Sequence, residues 1–414
     1  MEIKRKSGDA TRDAASLLEA ADAHLLGNYR PARMVLERGE GTQLFDTEGR
    51  RYLDFCAGVA VCCLGHGHPA LTQTIAEQAG RLMQVSNYFY TDQNIQLAAE
   101  LHEATGYDRA FFCNSGAEAN EAMLKLARRH FHERGETRTR IITFERAFHG
   151  RTFGALALTG NPKYLEGFGE PLAGMVQLPY GDLEAVERAL AGRDVAAVFV
   201  EPLQGEGGVN PAPAGFLSGL RRACDAVDTL LMLDEVQTGI GRTGALLASE
   251  HHGVMGDAVA LAKGLGGGFP IGALLVREPL AASLPPGSHG STYGGNPLAC
   301  AVARTVLRVL RDEDLIDRAA NRGRQLGDGL ARVAERYPKL CRGQRGLGLM
   351  RAIVLTEARE PRALLAALRE EGLLATAAGP RALRFLPPLV VTEAEVDEAL
   401  AMLDRALERV HAEL

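Results

Sequence analysis

Two periodicities divide the chain. From Arg33 to Phe55, "RMVLERGEGTQLFDTEGRRYLDF" alternates apolar and polar residues around two glycine-containing turns, "GEG" and "TEG". That alternation predicts a small antiparallel meander. From about residue 70 helical spacing and short apolar runs take turns. The predicted strands are "RAFFCN" (109–114), "RIITF" (140–144), "GMVQLPY" (174–180), "VAAVFVEP" (195–202), "TLLMLD" (229–234), "AVALA" (258–262) and "PIGALLV" (270–276). Most are separated by enough residues for a crossover helix, which implies parallel neighbours. Only "KGLGGGF" joins the last two, so that pair is antiparallel if adjacent. The pattern predicts an α/β fold with a mixed seven-stranded sheet sandwiched by helices. After about residue 305, "VLRVLRDEDLIDRAANRGRQLGDGL" reads as helix, and "GLGLMRAIVL" and "ALRFLPPLVV" read as strands. Residues before about 30 read as a helical arm. The expected division is an arm and small-domain meander at 1–70, a large domain at 71–305 and a C-terminal small domain at 306–414. The smaller α+β domain is then built from both chain ends.

Composition narrows the class. With 414 residues, 46% of them hydrophobic, the chain can bury a large core. A net charge of −6 and a pI near 6.0 leave no electrostatic footprint for nucleic acid or a membrane surface. The opening "MEIKRKSGDATRDAASLLEA" has basic residues without a following apolar run, unlike a secretory signal. No segment approaches the roughly 20 apolar residues of a membrane helix. Seven cysteines, scattered except for Cys62 and Cys63, show neither a disulfide framework nor a metal spacing. A cytoplasmic protein with free thiols and no metal is the expectation.

The uncommon residues collect where the predicted strands end, the edge at which open α/β sheets bind ligands. "LLMLDEVQTGIGRTG" runs a buried strand directly into Asp234 and Glu235, one of which then requires a buried positive partner or an exit to solvent. After "FFCN" come Ser115, Gly116 and Ala117, small enough for backbone N–H groups at a helix start to approach an anion. The helix itself would bury Leu124, Ala127 and Phe131. "ERAFHGRT" places Phe148, His149 and Arg151 at the same edge, and "EPLQGEGG" brings Glu201, Gln204 and Glu206. Gln237 follows Asp234 by three residues.

Lys263 is the most informative position. Only six of the 46 basic residues are lysine, yet this one lies between two apolar strands in "VALAKGLGGGFPIGALLV". An unpaired ammonium there costs several kcal/mol or gives up its proton. A lysine that loses its proton readily is a nucleophile toward carbonyls, a task arginine cannot perform. A salt bridge to an opposing carboxylate is the ordinary alternative. An amine, a carboxylate, an anion cradle and a flat apolar wall are together what pyridoxal phosphate requires. Asp234 would find its positive partner in the protonated pyridine nitrogen.

At this point the chain resembles the class III (ornithine/acetylornithine) aminotransferases of pyridoxal-phosphate fold type I. The motifs that carry the resemblance are "NSGAEANEAMLKLAR", "FHGRTFGALALTG", "EPLQGEGGVNPA", "LDEVQTGIGRTG", "LAKGLGGGFPIGA", "HGSTYGGNPLA" and "RFLPPLV", spread over roughly residues 28 to 405. The resemblance implies that Lys263 carries pyridoxal 5'-phosphate and that Asp234 faces its ring nitrogen. Gln237 is implied near the phenolic oxygen, Phe148 against the ring, and Ser115, Gly116 and Ala117 on the phosphate. Thr292 matches a phosphate contact supplied by the neighbouring subunit, so a homodimer with shared active sites is implied. Arg151 matches the arginine that grips the substrate α-carboxylate. Arg384 would meet the γ-carboxylate of 2-oxoglutarate and pair with Glu206 when the amino donor is bound.

Within the family, "CAGVAVCCLGHGHP" and "GPRALRFLPPLVV" have the acetylornithine-like form. Gly58 and Val59 stand in the region of the ornithine-specific enzymes' tyrosine. Cys62 and Cys63 replace the more usual Asn and small apolar residue, and Tyr293 replaces a common Phe. The implied reaction moves an amino group from a small-molecule acylated diamine to 2-oxoglutarate. Related acyl-diamine donors (succinylornithine, succinyl-diaminopimelate, carrier-bound lysine) and ornithine itself stay open. So does an aminomutase on the same fold, against which Arg384 argues. A non-catalytic nucleotide-binding module lacks its glycine fingerprint and following acidic residue.

Overall fold

A computed structural model describes residues 13–358 and 360–412. The arm contains one helix, Ala14–His24, none of whose residues is buried; the part of the expected arm at residues 1–12 lies outside the described residues. The meander forms as β1 (Leu36–Glu40), β2 (Gln43–Asp46) and β3 (Arg51–Asp54), paired antiparallel.

The central sheet uses β4 (Arg109–Cys113), β5 (Arg140–Phe144), β6 (Met175–Leu178) and β7 (Val195–Val200). A two-residue hairpin, β8 (Leu203–Gln204) with β9 (Asn210–Pro211), lies outside it. β10 (Leu230–Asp234), β11 (Ala258–Leu261) and β12 (Gly272–Val276) complete the seven strands in the order β4-β12-β11-β10-β7-β5-β6. β12 is antiparallel to both its neighbours, β11 and β4, as the short "KGLGGGF" connection requires. The other neighbouring pairs are parallel. Every residue of β7, β10, β11 and β12 is buried, which is why these segments are continuous apolar runs rather than alternating ones. Leu124, Ala127 and Phe131 are buried on the helix Gly116–Glu133, each large apolar side chain contributing about 1.5–3 kcal/mol by burial.

The C-terminal region departs from the expected elements in three places. The long helical run is two helices, Pro297–Asp312 and Leu315–Arg336, broken where Asp314 adopts φ 50°. "GLGLMRAIVL" contains a strand, β14 (Met350–Leu355), but its first residues are the end of an unexpected strand β13 (Cys341–Leu347) and the turn that joins the two into a hairpin. "ALRFLPPLVV" is extended only as far as Phe385, because Pro387 and Pro388 have no N–H for a ladder. β15 (Leu373–Leu374) pairs parallel with β3, so the two ends of the chain share one sheet. β16 (Thr376–Ala378) and β17 (Ala382–Phe385) extend the hairpin into an antiparallel sheet, setting Arg384 opposite Ala352 and Thr376. A helix at Glu393–Ala412, which the sequence pattern did not single out, closes the described chain.

Candidate active site

β4, β5, β7, β10 and β11 run in one direction, so the loops after them share one edge of the sheet. A cavity of about 450 Å³ opens there, lined by residues from all five loops: Ser115, Phe148, Glu201, Asp234 and Lys263 among them. Gly116, Ala117, Arg151, Glu206 and Gln237 line it as well.

The two carboxylates ending β10 part ways. Glu235 is buried in structure, accepting bonds from the Thr238 hydroxyl at 2.6 Å and the Ala248 and Ser249 N–H groups at 2.9 and 2.8 Å. Asp234 faces the cavity, 4% exposed. Its Oδ2 accepts from Nδ2 of Asn120 and Nδ1 of His149, both at 2.7 Å. Its Oδ1 accepts one backbone N–H, from Val236 at 3.0 Å, and so retains capacity for a further donor. Burial alone would lower the His149 imidazole, but the bond to Asp234 and the nearby carboxylates raise it above its ordinary range. Nε2 of His149 is buried with no hydrogen-bond partner among the described residues.

Asn120 was missed in the sequence and His149 was left without a role. The signal for Asn120 was an amide on the otherwise apolar buried face of the Gly116 helix.

Lys263 follows β11 with only Ala262 between. Its amine makes no hydrogen bond or ion pair among the described residues, and burial draws its pKa below the ordinary lysine range. The residue sits at φ 45°, a left-handed conformation costing about 1–2 kcal/mol for an L-residue. The turn is held from outside: Cys63, itself buried, donates its thiol to the Gly264 carbonyl at 3.1 Å. Burial pushes that thiol up to about 12, so it stays a donor. One of the two unusual cysteines thereby has a positional task beside the lysine.

The helix Gly116–Glu133 also begins at the cavity. Ser115 caps it, its Oγ accepting the Glu118 N–H at 3.2 Å. The N–H groups of Gly116 and Ala117 have no acceptor among the described residues. A side chain at Gly116 would put its Cβ 2.5 Å from the Val236 side chain, so only glycine fits. Free donors at the start of an 18-residue helix form an anion cradle.

Glu206 and Arg384 meet at the third side. Nη1 of Arg384 donates to Oε1 of Glu206 at 2.5 Å and to Oε1 of Gln237 at 3.0 Å, and Nε donates to the Thr376 hydroxyl at 3.1 Å. Burial alone would raise the Glu206 carboxyl, but the Arg384 charge and bond bring it below its ordinary range. Gln237 also donates to Glu206 at 3.2 Å, so it belongs to this pair in the structure. The Glu206 turn is clamped by its own carbonyl, which accepts the Gly379 N–H at 2.8 Å. Gly379, at φ 55°, lies so near Gly207 that a Cβ would approach the Gly207 carbonyl oxygen to 2.7 Å.

Glu201 is the other buried carboxyl of the cavity. It accepts from the Phe148 and Gly205 N–H groups at 3.1 and 3.2 Å, and burial, opposed by His149, pushes it up to about 7. Arg151 is exposed at the cavity mouth, its guanidinium over the Tyr164 ring. Thr292 stands apart. It is exposed, does not line the cavity, and its carbonyl accepts from the Gln84 amide.

A free amine, an Asp with a spare acceptor site, and two unclaimed N–H groups at a helix start are the donor set that pyridoxal phosphate needs, and the residues present fit it. Comparison with known proteins agrees. The family Aminotransferase class-III matches residues 27–407. The acetylornithine aminotransferase of Gloeobacter violaceus is 50% identical over 393 residues, 95% of this chain and 98% of that one. Among solved structures, the ornithine aminotransferase of Toxoplasma gondii superposes with a TM-score of 0.94 at 36% identity, covering 97% of each chain. The N-acetylornithine aminotransferase of Stenotrophomonas maltophilia gives 0.83 at 40% identity, covering 96% of this chain and all of that one (100%). The chain belongs to the class-III aminotransferases, a family of pyridoxal-phosphate-dependent transaminases.

Proposed function

We propose that this chain is an acetylornithine aminotransferase. It moves the δ-amino group of N2-acetyl-L-ornithine to 2-oxoglutarate, giving N-acetylglutamate 5-semialdehyde and glutamate, a step of arginine biosynthesis in the cytoplasm. The observation that carries this reading is the Glu206–Arg384 ion pair, whose carboxylate lines the cavity that holds Lys263 while its guanidinium is buried. One site must take a neutral acylated chain and a γ-carboxylate in turn, and a guanidinium with a removable carboxylate partner can serve both. The 50% identity to an acetylornithine aminotransferase supports the choice of donor over ornithine.

When bound, pyridoxal phosphate supplies the carbonyl that receives the amino group and the ring that withdraws electrons. Lys263 would hold that carbonyl and, once displaced, take up and return a proton at Nζ. Asp234, oriented by Asn120 and His149, would keep the ring nitrogen protonated. Gly116 and Ala117 would hold the phosphate with backbone N–H groups, joined by the Ser115 hydroxyl. Phe148 would cover one ring face, and Gln237 would reach the phenolic oxygen on leaving the Glu206–Arg384 pair. Arg151 would take the α-carboxylate. On this reading residues 71–305 form the cofactor-binding domain, while 1–70 and 306–414 form the smaller one that carries Arg384.

The test is to measure the two half-reactions separately, in single turnovers, with a panel of amino donors. Wild-type protein should turn over acetylornithine much faster than free ornithine or diamines without an acyl group. Arg384→Ala should impair the 2-oxoglutarate half by about ten- to a hundredfold while largely sparing the donor half. Glu206→Ala should shift preference toward acidic substrates by a similar factor, because the neutral donor then faces an unpaired guanidinium. Equal damage to both halves in Arg384→Ala would make the arginine structural and remove the basis of the reading.

The same proposal includes a homodimer. Tyr88 and Tyr90 are each 92% exposed, Phe89 is 69% exposed and Tyr293 63%. Asn87 ties these segments together, donating to the Ser291 and Gly294 carbonyls at 3.0 Å. An exposed aromatic patch of this kind favours burial against another chain, and Thr292 lies within it. Thr292→Val should weaken cofactor binding by about 1.5–3 kcal/mol, the loss of one charge-assisted hydrogen bond. In a mixed dimer of Thr292→Val with Lys263→Ala, one site should be free of both lesions and active. A hybrid whose one working site keeps the weakened cofactor binding of Thr292→Val would place Thr292 in its own subunit's site.

A further inference from the structure

The geometry points to Tyr164 as a positioning residue that holds Arg151 in place to receive the substrate's α-carboxylate. The proposal rests on the reading of Arg151 given above and concerns what aims it. Arg151 is exposed and makes no hydrogen bond or ion pair among the described residues, so no carboxylate fixes its long side chain. What it does touch is aromatic. Its guanidinium carbon lies 3.8 Å from the centroid of the Tyr164 ring and 5.5 Å from that of Phe148.

Tyr164 is itself well anchored. It ends a short 3-10 turn, Pro162–Tyr164, in which proline fixes one dihedral and the Asn161 side chain accepts the Lys163 N–H at 3.2 Å. The Tyr164 N–H donates to the Asn161 carbonyl at 3.0 Å. Its ring meets Phe148 edge to face, centroids 6.2 Å apart at 89°. Such pairs are attractive beyond their buried area. Phe148, Tyr164 and Arg151 therefore form a continuous chain of contacts from the cavity wall to its mouth.

A guanidinium lying over a ring face is held through its π surface, and its N–H edge stays free. That edge is the part that receives a carboxylate with two parallel bonds. A salt bridge to an acidic residue would have occupied it. Tyr164 thus restrains Arg151 without competing with substrate. Its hydroxyl makes no hydrogen bond among the described residues, so the ring alone carries the effect.

Both substrates present an α-carboxylate, so both should respond. Tyr164→Leu should raise KM for the amino donor and for 2-oxoglutarate together, by about two- to thirtyfold, the range spanned by cation–π contacts. kcat and cofactor absorbance should change little. The dissociation constant of glutarate, a non-reacting dicarboxylate, measured calorimetrically on the holoenzyme should rise in parallel. Tyr164→Phe, which keeps the ring, should restore wild-type KM and glutarate binding.

In an Arg151→Ala background, Tyr164→Leu should add nothing, because the residue acts through the arginine. A Tyr164→Phe variant as impaired as Tyr164→Leu would overturn the proposal by assigning the effect to the hydroxyl. An unaffected Tyr164→Leu, or one just as harmful without Arg151, would overturn it too. If Arg151→Ala alone left KM and glutarate binding unchanged, the assignment of Arg151 would fall first, and the role of Tyr164 with it.

Discussion

Lys263→Ala should abolish transamination and leave the fold intact. The expected loss exceeds the ~10²–10⁴-fold typical of removing one acid–base group, because the same amine both holds the carbonyl and moves the proton. Nothing in the fold leans on it: the amine has no partner among the described residues. The turn is kept by the Leu265 N–H bond to the Ala262 carbonyl at 2.9 Å and by Cys63 on Gly264. Removing a desolvated, unpaired amine relieves a burial cost rather than creating one. The apoprotein variant should therefore melt at or slightly above the wild-type temperature. Cofactor should still bind through the Gly116 and Ala117 N–H groups and Asp234, but without a covalent link. Borohydride treatment followed by peptide mapping of the wild-type protein checks the assignment directly. Cofactor recovered on Lys125, Lys163 or Lys339 would end it.

The central sheet was legible because its strands are buried on both faces and so appear as unbroken apolar runs. "VAAVFV" and "LLMLD" leave little else to be, and the short link containing "KGLGGGF" before β12 dictated its reversal. The C-terminal region was harder for a physical reason. β13, "CRGQRGL", is mostly half-buried and polar, and carries two glycines, so no periodicity marks it. β15 and β16 are two and three residues long and exist only because β3 and β17 offer edges to pair with.

At the site, residue type and position after a strand were enough to bring Lys263, Asp234, Phe148 and the Ser115–Ala117 turn to one cavity. What sequence could not give were the partners. That Asn120, 114 positions before Asp234, would donate to it is a property of the packed helix. Nor does the sequence state that Cys63 braces the lysine turn or that Tyr164 lies under Arg151. These contacts join segments far apart in the chain or depend on rotamers.

Asp234→Asn should lower turnover by at least ~10²-fold, about 2.7 kcal/mol of barrier, with the fold preserved. The side chain keeps its shape but loses the charge that would hold the ring nitrogen protonated. Its hydrogen bonding is disturbed as well. Oδ2 of Asp234 now accepts from both Asn120 and His149, and Oδ1 accepts from Val236. An amide oxygen can satisfy the first two only by turning its NH₂ toward the Val236 N–H, donor against donor, and toward the ring nitrogen it should be receiving. His149 supplies a second readout independent of turnover. Its imidazole stands above the ordinary range because Asp234's bond and charge outweigh burial. With the carboxylate gone, burial wins, and the pKa should fall below the ordinary histidine range. Ring-nitrogen NMR of the apoprotein, followed across a pH titration, should then show His149 losing its proton at a lower pH in the variant than in the wild type. Near-normal turnover would mean that Asp234 is only a charge at the end of a strand. An unchanged His149 would mean that Glu201, rather than Asp234, governs the imidazole.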